Sequence, residues 1–413
     1  MKVLILVDKL YPSHILGVKS GAFIAMTKIA KAISAQGNDV WIYSERYYGP
    51  DEDTDGLHYI GKSKLKLIFS ARFSTLNAMA RYFFKSKLPV LKRVKEMMKI
   101  SEYGYLKRVI NCGEFDIVNC QSRSIMNDFV LSDMKLRNTV DTIHGVFNGV
   151  VKLECSDEKY LARAFELERF ETIFLKKSVC DGHHVVFVSR GLMLQCAALI
   201  GCKEPPACFH FIPNIVSEGP ALTRTYDIQK KYNFPFDIRI LVCSGTVGMR
   251  KNQKQLIEAM SLLPHDELDK LRLFICGMEQ TDLRPVISRL HLENNVIITG
   301  FVEPAVMNSI YAQADAVVVA SLYETFGMPI IEAYSYGKPV LLPTDLNAFE
   351  DCYDAKACIS WNDRTTQGLA DAIRKIFSQK WDSEYIKTLT KNFSSDRVGK
   401  MYCKLFSAIK KVN

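Results

Sequence analysis

The chain opens on MKVLILV, an apolar run broken only by Lys2 and closed by Asp8 and Lys9, which predicts a buried strand over Lys2–Val7. A loop follows through Tyr11-Pro12 to Ser20-Gly21. Ile24, Ile29 and Ile33 then recur at near-helical spacing over about 22–36, and Gly37-Asn38 supplies the stop. A second strand is expected over 40–43. Strand, loop, helix, strand is the repeating unit of a doubly wound parallel sheet. Further strands are expected at 115–119, 139–143, 184–188 and 209–212, with a long helix over 158–176. Pro213-Asn214 breaks the pattern, and a polar segment runs over 217–237. A second series then begins, with strands at 238–244, 271–276, 296–299, 316–320 and 339–342. Helical spacing fills the intervals at 253–261, 283–290, 306–312 and 328–336, and a last helix is expected over 395–411.

Strands alternating with helices in both halves predict an α/β chain of two Rossmann-like parallel-sheet domains facing a central cleft. The boundaries are set at 1–215 and 216–394, with 395–413 a helix expected to cross back toward the N-terminal domain. Length agrees, because 413 residues are too many for one ordinary core. No segment approaches 18 consecutive apolar residues, so no membrane-spanning helix is expected, and MKVLILV is too short for a signal-peptide core. The twelve cysteines include no Cys-x-x-Cys pair, and Cys243 and Cys276 lie inside apolar runs as small hydrophobes. Free thiols fit a reducing compartment, so a cytoplasmic location is expected.

Charge changes the picture in one place. Residues 62–99 hold eleven Lys or Arg against one acid, Glu96, which exceeds the net charge of +9 for the whole chain. No nucleic-acid motif accompanies them, so nucleic acid is not an expected partner. The basic residues alternate instead with Leu67, Ile68, Phe69, Phe73, Tyr82, Phe83 and Phe84. Val90, Leu91, Val94, Met97 and Met98 follow at helical spacing. That combination suits peripheral contact with an anionic bilayer, here the inner face of the cytoplasmic membrane. An ordinary amphipathic helix with a solvated basic face is the plainer alternative.

Candidate chemistry concentrates in Ala320–Leu342, ASLYETFGMPIIEAYSYGKPVLL. A buried strand ends there, a loop carries Glu324, and a helix starting near Met328-Pro329 carries Glu332. Pro329 suits a first helical turn, Gly327 lets backbone approach a ligand, and a helix N-terminus attracts negative charge. Carboxylates accept hydrogen bonds from vicinal hydroxyls, as in a sugar or a ribose. Two glutamates eight residues apart mean little alone. A second stretch, Cys243–Met260, runs from a strand through a glycine turn to Arg250-Lys251 and a helix, and cations beside a helix start suit a diphosphate.

Glu-x7-Glu with Phe326-Gly327-Met328-Pro329 between, and Gly337-Lys338-Pro339-Val340 closing the unit, resembles the donor-site signature of glycosyltransferase family 4. LFICGMEQ (273–280), VIITGFVEP (296–304) and IYAQADAVVVAS (310–321) resemble the preceding elements of that family in order. The resemblance implies the GT-B fold and a retaining transfer from a nucleotide-sugar donor. It implies donor contacts from Gly21, Gly245, Arg250, Lys251, Gly277, Phe301, Val302, Glu324, Thr325, Phe326, Gly327, Met328 and Glu332. Thr142-Ile143-His144-Gly145 resembles the family's Thr-x-His-Gly, so His144 is expected to face the reacting sugar, and His144, Lys251 and Glu324 are the expected catalytic set. Departures exist. Thr246 stands where the family commonly has arginine, Ser20-Gly21 replaces two adjacent glycines, and Asp116-Ile117-Val118-Asn119-Cys120-Gln121 sits where the family often has His-x-His, with both histidines absent.

No Asp-x-Asp ends a strand, and Asp51-Glu52-Asp53 lies in a polar loop, so no metal and no cofactor are expected. The diphosphate would then depend on Lys251, Arg250 and backbone N–H groups. The expected acceptor is a saccharide or lipid-linked saccharide, as in surface-polysaccharide assembly. Two other readings remain open at this point: a GT-B epimerase, and a catalytically degenerate family member acting as a partner subunit.

Overall fold

The computed structural model describes residues 1–8, 10, 21–63, 66–67, 90–121, 134, 136–146, 158–216 and 226–412. The first sheet is built from β1 (Lys2–Val7), β2 (Asp39–Ser44), β3 (Glu52–Thr54), β4 (Leu57–Tyr59), β5 (Ile117–Cys120), β6 (Thr139–Ile143), β7 (His184–Phe187) and β8 (Phe209–Phe211), ordered β3-β4-β2-β1-β5-β6-β7-β8. All its pairings are parallel except β3 with β4. The second sheet holds β9 (Arg239–Ser244), β10 (Leu271–Cys276), β11 (Val296–Gly300), β12 (Ala316–Val318), β13 (Val340–Pro343) and β14 (Cys358–Trp361), ordered β11-β10-β9-β12-β13-β14 and parallel throughout. Both sheets are covered on both faces, which is why their strands read as continuous apolar runs. In the second sheet the strand order reverses between β9 and β12, the point where ligands of such sheets bind beyond the strand C-termini.

Two expectations are corrected here. Glu52 and Asp53 are not in a loop: they sit in β3, which pairs antiparallel with β4 through Asp55-Gly56. Both turn residues have positive φ, 57° and 73°, the two-residue hairpin geometry that Asp-Gly favours. Lys62, counted with the basic surface, is instead buried. Its Nζ donates to the Glu45 carbonyl at 2.5 Å and lies over the Tyr43 and Tyr48 rings. Lys66 pairs with Asp51 at 2.7 Å. Residues 68–89 of that stretch lie outside the described residues, as do the side chains of 90–99, where the backbone is helical from Val90 to Gly113.

Helix α1 (Gly21–Ala35) and the last helix, α2 (Ser395–Val412), pack together on the first sheet. Val398, Tyr402, Phe406 and Ile409 form one buried stripe that shares a cluster with Ile29, Ile33 and β1. The approach is close. A Cβ on Gly399 would stand 2.6 Å from the Ala32 carbonyl oxygen. A second apolar cluster runs from Phe187 and Leu192 through Val216 to Phe326, Ile330 and Phe393, and so joins the two halves of the chain.

Candidate active site

The loops after β9, β10 and β12 meet at the reversal of strand order. The Val247 N–H donates to the Met278 carbonyl, and the Leu322 N–H to the Arg250 carbonyl, both at 2.8 Å. Buried Gln253 clamps the turn after β9: its Oε1 accepts from the Gly248 N–H and its Nε2 donates to the Thr246 carbonyl, each at 3.2 Å. Gly245 has φ +121°, and a Cβ there would lie 2.9 Å from Lys251 Cε, so a side chain would be both strained and in the path of the lysine. At Gly277 a Cβ would overlap the Gly245 backbone.

Lys251 is buried and its Nζ donates to Glu324 Oε1. The same oxygen accepts from Ser321 Oγ at 2.9 Å, and Arg250 Nη1 stands 3.5 Å away. Burial by itself raises the Glu324 carboxyl. Lys251, Arg250 and the hydrogen bonds from Lys251 and Ser321 outweigh that effect and hold it below the usual glutamate range. Two cations thus share one carboxylate. Arg250, which follows the glycine turn rather than occupying position 246, brings its guanidinium to Glu324 and also donates to the Tyr323 carbonyl at 3.2 Å.

Glu332 behaves differently. It lies on α3 (Met328–Ser335), whose N-cap Gly327 has φ +75° and whose first turn contains Pro329. Its Oε2 accepts from the Tyr311 hydroxyl at 3.0 Å, and Tyr311 also pairs with Ser244 Oγ at 2.7 Å. Burial pushes its carboxyl up, and Tyr311, Lys28 and Lys251 only partly offset that. Lys28 belongs to α1, so the field on Glu332 comes from both sheets' helices.

The remaining candidates divide. Phe301 is 67% exposed at the end of β11, whereas Val302 and Met328 pack against the large cluster. Phe326 is 2% exposed and its ring meets Phe393 edge-on, so only its backbone is free to line the cleft. Thr325 touches the other half of the chain: its carbonyl accepts from Ser189 Oγ at 2.5 Å, and its Cγ2 would be 3.3 Å from a Cβ on Gly145. His144 is therefore beside the Glu324 loop. Burial pushes its pKa down to about 4, with the Asn214 side chain acting the other way. Gly21 begins α1, and Ser20 lies outside the described residues.

Sequence reasoning missed Ser321, Tyr311, Gln253 and Lys28. Ser321, three residues before Glu324, was visible in principle as a hydroxyl beside a candidate carboxylate. The others carry no local signal. Among the described residues no cluster of His, Cys, Asp or Glu has metal-binding geometry, and no helix is long and apolar enough to cross a membrane. The described cysteines are free thiols.

Two parallel-sheet domains with charged groups at the strand C-termini between them define the GT-B fold. HepE of Anabaena, solved with UDP, superposes with a TM-score of 0.66 over 99% of this chain and 100% of that one, at 15% identity. Residues 225–392 match the family model "Glycosyl transferases group 1". An uncharacterised glycosyltransferase of Methanocaldococcus jannaschii is 25% identical over 310 residues, 71% of this chain and 75% of that protein. O-antigen chain mannosyltransferase B of Escherichia coli is 35% identical over 100 residues, 24% of this chain. That match spans only 26% of the mannosyltransferase. Together these likenesses support a glycosyltransferase.

Proposed function

We propose that the protein transfers a sugar from a nucleoside diphosphate sugar to an acceptor hydroxyl, with retention at the anomeric carbon. The observation that carries this reading is the buried Lys251–Glu324 pair with Arg250, standing beside Glu332 where the strand order reverses. The two cations receive the diphosphate, and Glu332 receives the ribose hydroxyls. Glu324 holds hydroxyls of the donor sugar while keeping Lys251 in place. Thr246 supplies no charge, and Arg250 takes up that part.

In the transfer, the bond from the anomeric carbon to the diphosphate oxygen breaks and a bond to the acceptor oxygen forms on the same face. The acceptor's proton passes to the leaving diphosphate oxygen, whose developing charge Lys251 and Arg250 stabilise. His144, neutral at working pH, contacts the donor sugar from the opposite domain. Closure of the two domains would exclude water and limit hydrolysis.

Donor hydrolysis and transfer measured across UDP-, GDP- and ADP-sugars test the reading. Turnover of one donor, reduced at least 100-fold in Lys251→Ala, is expected. No turnover of any donor, with nucleotide binding identical in wild type, Lys251→Ala and Glu332→Ala, would refute it. The acceptor we propose is a lipid-linked saccharide at an anionic membrane, supported by the basic, aromatic stretch around 66–99 and the likeness to the O-antigen mannosyltransferase.

A further inference from the structure

Asn119 and Gln121, at the end of β5, are both fully buried. Asn119 Nδ2 donates to the Val140 carbonyl at 2.9 Å and to Thr142 Oγ1 at 3.1 Å. A carbonyl only accepts, so this end of the amide is its NH2 group and Oδ1 is turned toward Gln121. That oxygen takes a hydrogen bond from Gln121 Nε2 at 2.5 Å. Gln121 Oε1 consequently faces His144 Nε2 at 2.9 Å. Because Oε1 also only accepts, Nε2 carries the ring proton. One backbone carbonyl therefore dictates a histidine tautomer through two side-chain amides. The other end of the chain reaches the C-terminal helix. Thr142 Oγ1, accepting from Asn119, also lies 3.5 Å from the Tyr402 hydroxyl, and either of those two hydroxyls can donate to the other.

We infer that Asn119 and Gln121 are positioning residues that lock His144 as the Nε2–H tautomer, so that Nδ1 is presented as a hydrogen-bond acceptor to a hydroxyl of the donor sugar. The inference rests on the reading of His144 as a sugar contact. Nδ1 is buried and makes no hydrogen bond of normal geometry among the described residues, although the Asn214 side chain lies close enough to favour the protonated ring. A buried acceptor is costly to leave unpaired, and a sugar hydroxyl is the donor that the cleft would bring to it. Gly145, packed against Thr325, places this ring next to the Glu324 loop.

Long-range 1H–15N correlation of the full chain labelled at histidine nitrogen reads the tautomer without any ligand, with His144→Gln assigning the signal. A pure Nε2–H ring at neutral pH is expected. Gln121→Met, close in size but without the amide, should turn it into a mixture. The same variant should bind UDP-glucose or GDP-mannose, whichever the wild type takes, about tenfold more weakly while binding UDP or GDP unchanged. An Nδ1–H ring or a mixture in the wild type overturns the lock, as does a Gln121→Met spectrum identical to wild type. If the tautomer scrambles but sugar and nucleotide affinities stay equal, the lock stands and the sugar-contact reading of His144 falls.

Discussion

Replacing Lys251 by Met removes a charge but keeps most of the volume, and leaves the Glu324 carboxylate buried beside Arg250 at 3.5 Å and Ser321 at 2.9 Å. Breaking a buried pair from one side costs about 3–5 kcal/mol. The two surviving partners place the expected loss at the lower end, about 3 kcal/mol at pH 7. The side chains are only 11% and 10% exposed, so solvent screening takes little from that figure. For a domain of this size about 3 kcal/mol corresponds to a Tm roughly 6–12 °C lower. The pH dependence has a definite sign. In the wild type the Glu324 carboxyl is held below its unfolded value, so its contribution is complete above that value and fades as pH falls through the folded one. In Lys251→Met the largest effect opposing burial is gone, the carboxyl rises, and the deficit should be smaller at about pH 5 than at pH 7 because Glu324 protonates more readily. Scanning calorimetry of wild type, Lys251→Met, Glu324→Gln and the double variant at both pH values measures this. The double variant should recover at least half of the loss. A double variant whose loss equals the sum of the two single losses would show that the two side chains are not energetically coupled, and the site would lose its organising pair.

Other outcomes follow from the same geometry. Gly245→Ala should weaken nucleotide-sugar binding more than tenfold in titration calorimetry, since a side chain at φ +121° is strained and its Cβ would displace the Lys251 side chain. Tyr311→Phe removes the hydrogen bond that restrains Glu332, so the carboxyl should rise further. Donor affinity, already falling toward acid as Glu332 protonates, should then begin to fall at higher pH than in the wild type. His144 titrates at about 4, so its replacement should change kcat without moving any inflection of the pH–rate profile above pH 6. The full chain should co-sediment with anionic vesicles and release with salt, and equal binding to neutral vesicles would remove the membrane from the proposal.

Much of the architecture was legible because strands buried on both faces leave continuous apolar runs that survive any tertiary context. Val3–Val7 and Leu271–Cys276 are examples. β3 was not, because Glu52, Asp53 and Thr54 form an edge strand with little apolar content, and its strongest clue was the Asp-Gly turn. The C-terminal unit of β14 and the helix Thr366–Ser378 also escaped, although Leu369, Ile373 and Ile376 line one buried face of that helix. Glu324 and Lys251 could be singled out because special turn residues surround them. Tyr311 and Gln253 could not, since neither a tyrosine within a helix nor a glutamine at the start of one carries a trace of what its polar end will meet. Lys62 shows the limit of charge counting: a lysine in a basic run can still lie wholly inside the protein, held by a carbonyl and two aromatic rings.

The docking of α2 against α1 has a consequence for how the chain acquires its shape during synthesis. Ile29, Ala32 and Ile33 emerge long before the stripe that covers them, Val398 to Ile409. Until residues 398–409 have been made, the leading domain must hold an uncovered apolar ridge, while the trailing sheet can complete its own interior first. A stop introduced near residue 394 should therefore leave residues 226–393 folded and make the leading half the part that aggregates or recruits chaperones.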